Sequence, residues 1–154
     1  MTYEELENEA FEEGLAVDYR PFRSPRIKGL YCDGSIAIST QLRTDAERSC
    51  VLAEELGHYH TSSGNILDLR EASCRKQERI ARLWAYNRQI GLLGIVRAFE
   101  AGCRNYYEMA EHLGVTEDFL REAVESYKQK YAPAVSVGDY TILFRDGLTI
   151  MKRI

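Results

Sequence analysis

Apolar residues near the amino terminus follow a helical spacing first and an alternating spacing afterwards. Thr2-Tyr3-Glu4-Glu5 has the pattern of a capping box, which predicts that a helix begins here and runs to about Glu13. Leu15 to Tyr19 alternates enough to predict a short strand. Asp33-Gly34 separates Gly29–Cys32 from Ser35–Ser39, and this dipeptide is typical of a tight hairpin turn. The amino-terminal third therefore predicts a helix followed by a small antiparallel sheet.

Helical spacing dominates the middle of the chain. Thr44-Asp45-Ala46-Glu47 forms a second capping-box pattern, and the helix that it begins has Leu52 and Leu56 among its apolar positions. A further helix is predicted to end at Gln89, and a shorter one follows it and ends at Ala101.

The last third predicts two helices and a hairpin. Residues 106–113 and 117–131 have the pattern of helix, turn, helix. Two apolar runs, 140–144 and 148–152, flank Asp146-Gly147, which predicts a final hairpin. The fold class expected from the whole pattern is α+β. We expect a mostly helical single domain with the small antiparallel sheet before the helix that follows Thr44, and a C-terminal β-hairpin.

Composition fits a small globular protein of the cell interior. The chain has 154 residues, is 45% hydrophobic and carries a net charge of −4, which argues against nucleic-acid binding by bulk charge. The acidic amino terminus is unlike a secretory signal, and no apolar run reaches the roughly 18 residues that a membrane span needs. Four scattered cysteines form no C-x-x-C pair, so reduced thiols and a cytoplasmic location are expected. Cys50 and Cys74 are interpreted as packing residues.

The strongest chemical signal is the segment Ala53-Glu54-Glu55-Leu56-Gly57-His58. It has the frame of the zinc-peptidase helix H-E-x-x-H, with Glu54 where the first histidine belongs. Residues four apart lie on one face of a helix, so Glu54 and His58 can offer donors to one ion. Glu55 has the position of the general base that takes a proton from a metal-bound water. A third protein ligand must then come from elsewhere in the chain.

Histidine is scarce, so the third ligand is expected to be a carboxylate. His60 is two residues from His58, which is about 200° of helical rotation, and it therefore points away from the predicted site. His112 follows a separate helix-breaking region and is interpreted as a surface or packing residue. Three carboxylates are within reach of the next helix: Glu78, Glu71 and Asp68.

Glu78 is favoured because Ala81, Trp84 and Ala85 recur with it at helical spacing. A helix that packs these residues against the motif helix aims Glu78 at the same place as Glu54 and His58. Gly57 costs about 1 kcal/mol relative to alanine in a helix interior. Two readings remain: the glycine lets a strand, a substrate or the second helix approach closely, or it is a tolerated glycine near a helix end.

Two segments, Leu52–Thr61 and Glu78–Ala85, resemble the ImmA/IrrE family of metallopeptidases. The first matches the family's E-L-G-H with its flanking residues, and the second matches a downstream E-x-x-A-x-x-F-A with tryptophan as the aromatic residue. The layout of the remaining chain is similar to the ImmA-like branch of phages and mobile elements. The resemblance implies a zincin-like metallopeptidase core over 1–103. Residues 104–154 would then be a helix-turn-helix-like pair and a hairpin packed on that core as one domain.

The resemblance also implies roles for the site residues. Glu54, His58 and Glu78 correspond to the metal ligands, and Glu55 corresponds to the catalytic base. The implied substrate is an intracellular protein, a helix-turn-helix transcriptional repressor of a phage or mobile element, so that cleavage makes the protein an antirepressor. No direct contact with nucleic acid or membrane is expected.

Glu54 is the departure from the family pattern, and it changes the expected chemistry. Two carboxylates and one imidazole make a formally neutral site, which acidifies bound water less than a charged one. Zn²⁺ is the expected ion, and the harder ligand widens the choice to Mn²⁺ or Fe²⁺. The alternative is a non-catalytic relative that binds the repressor and in which Glu54 has replaced the ligand histidine.

Two further hypotheses concern neighbouring elements. The strand at Ser35–Ser39 is expected to be an edge strand beside the motif helix that holds a substrate backbone by strand addition. The helix pair at 106–131 raises a DNA-binding hypothesis. Its second helix begins Glu117-Asp118 and continues with Glu122 and Glu125, where a recognition helix needs basic or amide side chains. A pair that packs the core or binds a protein is therefore favoured.

Overall fold

A computed structural model describes residues 1–62 and 71–154, with the side chains of 71–73 excepted. Asp68 and the side chain of Glu71, two of the three candidate carboxylates, lie outside the described residues. The described helices are α1 (Tyr3–Glu12), α2 (Asp45–Thr61), α3 (Glu71–Gln89), α4 (Gly91–Glu100), α5 (Tyr106–Leu113) and α6 (Glu117–Tyr131). The described strands are β1 (Ala16–Arg20), β2 (Gly29–Cys32), β3 (Ser35–Ser39), β4 (Ala134–Val137), β5 (Tyr140–Leu143) and β6 (Thr149–Lys152). The predicted α+β class with mostly helical content is confirmed.

The chain forms two compact units, Met1–Arg88 and Gln89–Ile154. The first contains α1, α2, nearly all of α3 and the first sheet, and the second contains the remaining helices and the second sheet. The expected division after residue 103, with both parts packed as one domain, stays a prediction.

Side-chain caps explain where the first helices begin. Thr2 accepts a hydrogen bond from the Glu5 amide while Glu5 accepts one from the Thr2 amide, so the predicted capping box is complete. Thr44 likewise accepts from the Glu47 amide at 3.1 Å and begins α2. Glu47 itself accepts from the Arg43 amide, one residue before the cap, so this second box is only half formed.

The first sheet differs from the prediction in its strand directions and in which strand lies at its edge. Its order is β1-β3-β2, with β1 parallel to β3 and β2 antiparallel to β3, so it is mixed rather than antiparallel. The hairpin turn at Asp33-Gly34 is confirmed, since both residues have positive φ. The prediction that β3 is an edge strand is wrong: β1 pairs with it on one side and β2 on the other. The edge strand beside α2 is β2.

The second unit contains the predicted helix-turn-helix pair and a larger sheet than expected. Gly114, in the left-handed conformation at φ 70°, ends α5, and Thr116 caps α6 by accepting from the Phe119 amide. The predicted hairpin is confirmed as β5 and β6, and β4 pairs with β5 to make a three-stranded antiparallel sheet. Within the described residues, no helix combines the length and the apolar composition that a membrane crossing requires.

Candidate metal centre

The motif helix α2 is anchored by an apolar face. Leu52, Ala53 and Leu56 have no exposed surface, so their burial fixes the rotation of α2 about its axis. That rotation leaves Glu54 and His58 half-buried and turns Glu55 inward, where only 9% of its surface is exposed. The three motif residues therefore lie in two different surroundings.

Gly57 lets α3 approach α2 at backbone distance. A Cβ on Gly57 would overlap the carbonyl oxygen of Ala81, and it would lie 3.0 Å from the Ala81 carbonyl carbon. Ala81 and Ala85 are fully buried, as the small residues of a close helix contact should be. The interpretation that Gly57 allows the second helix to approach closely is supported by this contact.

The close approach brings Glu78 of α3 to His58 of α2. The distance from His58 Nε2 to Glu78 Oε2 is 3.0 Å, and the two side chains are 27% and 43% exposed. Arg82, one turn further along α3, donates from Nε to the other carboxylate oxygen, Oε1, at 3.1 Å. The pairing of these two predicted ligands is thus a contact between helices, and an arginine holds one side of the carboxylate.

Glu55 lies against the edge strand β2. Its Oε1 is 3.0 Å from where a Cβ on Gly29 would be, so the missing side chain at Gly29 makes room for the carboxylate. Burial, and after it the negative charges of Glu54 and Glu78, raise the pKa of Glu55 to about 7. A hydrogen bond from the Tyr31 backbone acts in the opposite direction and favours the charged form.

Glu54 does not complete a three-donor group with His58 and Glu78. It lies one helical turn before His58, but the donor atoms of these three side chains are not all within 4.8 Å of one another among the residues described. Two donors at 3.0 Å are close to the separation of about 3.4 Å that tetrahedral zinc bonds of roughly 2.1 Å produce. The donor chemistry thus fits a zinc ion at His58 and Glu78, and the Glu54 carboxylate has to turn toward them to join.

A second group of donors lies between α1 and α2. Glu9, Glu13 and His60 have ligand atoms that all lie within 4.8 Å of one another, which makes them a possible metal-binding triad. His60 Nε2 is 3.2 Å from Glu13 Oε1. As the helical rotation predicts, His60 pairs with a different carboxylate from the one that His58 contacts.

Sequence reasoning did not consider Glu9 and Glu13 as donors. The available signal was their spacing, since two carboxylates four residues apart share one face of a helix. The sequence does not say that this face of α1 meets His60, because that contact depends on how α1 packs on α2.

Two cysteines and one histidine remain from the sequence predictions. Cys50 is buried, as a packing residue should be, whereas Cys74 is exposed and the packing interpretation is wrong for it. His112 is on the surface.

Comparison with known proteins adds no assignment to this geometry: no family model matches the chain, and no curated protein matches it either.

Proposed function

We propose that the protein is a metal-dependent endopeptidase of the kind that its motif resembles. The observation that carries the proposal is the 3.0 Å contact between His58 and Glu78, which come from different helices, beside the inward-facing Glu55. A bound Zn²⁺ would polarise a peptide carbonyl and acidify a water molecule, and Mn²⁺ or Fe²⁺ would act in the same way. His58 and Glu78 would hold the ion, with Glu54 as the third ligand from the same face of α2.

Glu55 is the residue assigned to proton transfer. The negative charge of Glu78 contributes to the raised pKa of Glu55, so the two carboxylates interact electrostatically. A general base works best when it is fixed in orientation, and the Tyr31 backbone supplies one hydrogen bond for that purpose. Val51 and Glu55 both lie against Gly29 of β2, and only 9% of the Glu55 surface is exposed.

The edge strand β2 is the proposed docking site for the substrate backbone. β2 pairs with β3 on one side only, and Glu55 lies against it. An extended peptide added to this edge would pass close to Glu55. The proposed substrate is a helix-turn-helix repressor of a phage or mobile element; the family resemblance supports that choice, and the protein would then be a cytoplasmic antirepressor.

The test of this function is Glu55→Gln, compared with Glu12→Gln at an exposed position of α1. Each variant is co-expressed with a candidate repressor, and the cleaved fraction and the bound zinc are measured. Removal of a general base lowers the rate by about 100-fold or more. We expect Glu55→Gln to retain its zinc and lose cleavage, and Glu12→Gln to keep both. Cleavage by Glu55→Gln at the unaltered rate removes Glu55 as the base.

A non-catalytic, repressor-binding protein is the second candidate. It is favoured by the position of the Glu54 carboxylate, which is not gathered with His58 and Glu78. Repressor binding without cleavage by the zinc-loaded protein identifies this function.

A DNA-binding role for α5 and α6 has less support. Asp118, Glu122 and Glu125 are exposed on α6, and Arg121 is paired with Glu117 at 2.8 Å. These carboxylates would repel phosphates, so salt-dependent binding to duplex DNA is not expected.

A further inference from the structure

We propose that Glu9, Glu13 and His60 form a second divalent-cation site, which joins the end of α1 to the end of α2. It is independent of the proposed peptidase function, since it shares no ligand with the His58–Glu78 pair. Its donor set is one imidazole and two carboxylates, which suits Zn²⁺.

The donors are already close to coordination distance. Tetrahedral zinc bonds of roughly 2.1 Å place neighbouring donors about 3.4 Å apart. Glu13 Oε1 and His60 Nε2 are 3.2 Å apart, and the Glu9 donor lies within 4.8 Å of both. The Glu9 donor would have to approach the other two by at most about 1.4 Å to reach that spacing.

Two of the donors are held in place by residues that are not ligands. The His60 ring stacks on Trp84 with centroids 4.7 Å apart, and the edge of Tyr59 meets it at 5.0 Å. Arg88 donates to Glu9 Oε2 from Nη2 at 2.6 Å and from Nε at 3.2 Å. Both arginine bonds use the same oxygen, so they orient the carboxylate in the way that outer residues orient metal ligands.

The charge of α1 gives a separate reason to expect a cation here. The last turn of α1 contains no basic residue, although Glu9, Glu12 and the cap residue Glu13 lie there. Carboxylates at the C-terminus of a helix face the negative end of its dipole, and Glu9 and Glu13 repel each other at four-residue spacing. Arg88 offsets one negative charge, and a divalent ion would offset the rest.

Without an ion, the contacts of Glu9, Glu13 and His60 would be an ordinary network of ion pairs. A metal site would bind zinc at these residues, and an ion-pair network would not. The test uses a chain in which the other pair is disabled, His58→Ala with Glu78→Gln. Zn²⁺ alone is titrated calorimetrically into this chain. We expect one ion per chain, and no ion when His60→Phe is added, because phenylalanine keeps the stack on Trp84 and lacks the donor nitrogen.

Glu13→Gln in the same background keeps the proposal testable if His60→Phe unfolds the chain, and far-ultraviolet circular dichroism of each variant reports folding. Glu13→Gln is expected to weaken zinc binding at least tenfold, whereas Glu12→Gln removes a nearby charge but no ligand and should weaken it by less than about threefold. Zinc should also raise the melting temperature of the background chain and not that of the His60→Phe variant. Absence of zinc binding by the background chain, or binding that survives both substitutions, overturns the proposal. Neither result bears on cleavage by the intact chain, so the two proposals fail separately.

Discussion

His58 and His60 are two residues apart on α2, and each meets a glutamate from a different helix. His58 pairs with Glu78 of α3 at 3.0 Å, and His60 pairs with Glu13 at the end of α1 at 3.2 Å. The pairs use the same residue types at nearly the same distance. Their surroundings differ, and that difference is the reason for proposing a different role for each.

The His58 side has the neighbours on which the proposed reaction depends. Glu55 is buried on the same helix, and its carboxylate lies against the edge strand β2, the proposed docking site for a peptide. The His60 side has what a stable clamp needs: a stacked Trp84 and a nearby Arg88 that fixes Glu9. Residue type and spacing alone do not separate a catalytic from a structural metal site, and the neighbours of the ligands do.

The largest expected effect on this comparison comes from Gly57→Ala. The added methyl group would overlap the backbone of Ala81, which cannot yield as a flexible side chain can, so α3 must move away. We expect the free energy of unfolding to fall by about 3 kcal/mol. Zinc should be lost from the His58 side. Binding on the His60 side should weaken less, because its three ligands lie on α1 and α2 and α3 supplies only the supporting Trp84 and Arg88.

Gly94→Ala is the matched control, measured by the same denaturant titration. Gly94 is also a buried helical glycine, but a Cβ there would meet side chains rather than backbone: the flexible end of Leu113 at 3.4 Å and Ile90 Cγ2 at 3.7 Å. Alanine is favoured in a helix by about 1 kcal/mol over glycine, so stability should hold or rise. Equal effects at both positions would remove the close helix approach as the explanation.

Glu55→Gln tests the His58 side through the pH dependence of the free energy of unfolding. In metal-free protein, burial raises the pKa of Glu55 to about 7, so folding favours its neutral form. Its contribution to stability is complete below its ordinary pKa, near 4.5, and is lost as the pH rises through about 7. The variant should match the parent chain near pH 4.5 and exceed it at pH 8 by on the order of 2 kcal/mol.

The measurement is urea unfolding in the presence of a chelator at both pH values. Glutamine can still accept the hydrogen bond from the Tyr31 backbone, so the comparison isolates the charge. A constant difference across this pH range would contradict the raised pKa of Glu55.

Glu54→His tests whether the His58 side lacks only a good third ligand. A histidine at this position supplies an imidazole one turn from His58 and completes H-E-x-x-H. Zinc affinity on this side should rise by about tenfold, or roughly 1.4 kcal/mol, with no change on the His60 side. Competition against a zinc-binding dye, in a His60→Phe background, measures it; an unchanged affinity would show that position 54 does not face the ion.

Arg88→Gln is expected to have the smallest effect. The pair with Glu9 is partly exposed, with side chains 40% and 19% accessible, and such pairs contribute about 1 kcal/mol or less. Thermal unfolding in low and high salt should show a small loss that salt removes. A loss of several kcal/mol would mean that the His60 side depends on the ion pair rather than on a bound cation.

Signals carried by a few neighbouring residues were predicted well from the sequence. Thr2 and Thr44 cap their helices as expected, and Asp33-Gly34 turns the first hairpin. Each of these depends only on residues within one turn of the chain, whose types alone favour the cap or the turn. The pairing of His58 with Glu78 also followed from the spacing of Ala81 and Ala85, because small residues at helical spacing mark a close helix contact.

The arrangements that the sequence did not predict depend on distant parts of the chain. β1 and β2 each pair with β3, which makes β3 the central strand, and a strand pattern does not state its neighbours. β4 was missed for a similar reason, since it is only four residues long, begins three residues after the end of α6, and becomes a strand by pairing with β5. The contact between Glu13 and His60 likewise exists only once α1 packs on α2.

Anomalous diffraction at the zinc absorption edge, from crystals of the zinc-loaded chain, would locate bound zinc at both histidines. We predict one peak within bonding distance of His58 Nε2 and a Glu78 oxygen, and a second peak at His60. A map with no peak at His58, and with the His58–Glu78 hydrogen bond still intact at its present 3.0 Å, would contradict this prediction.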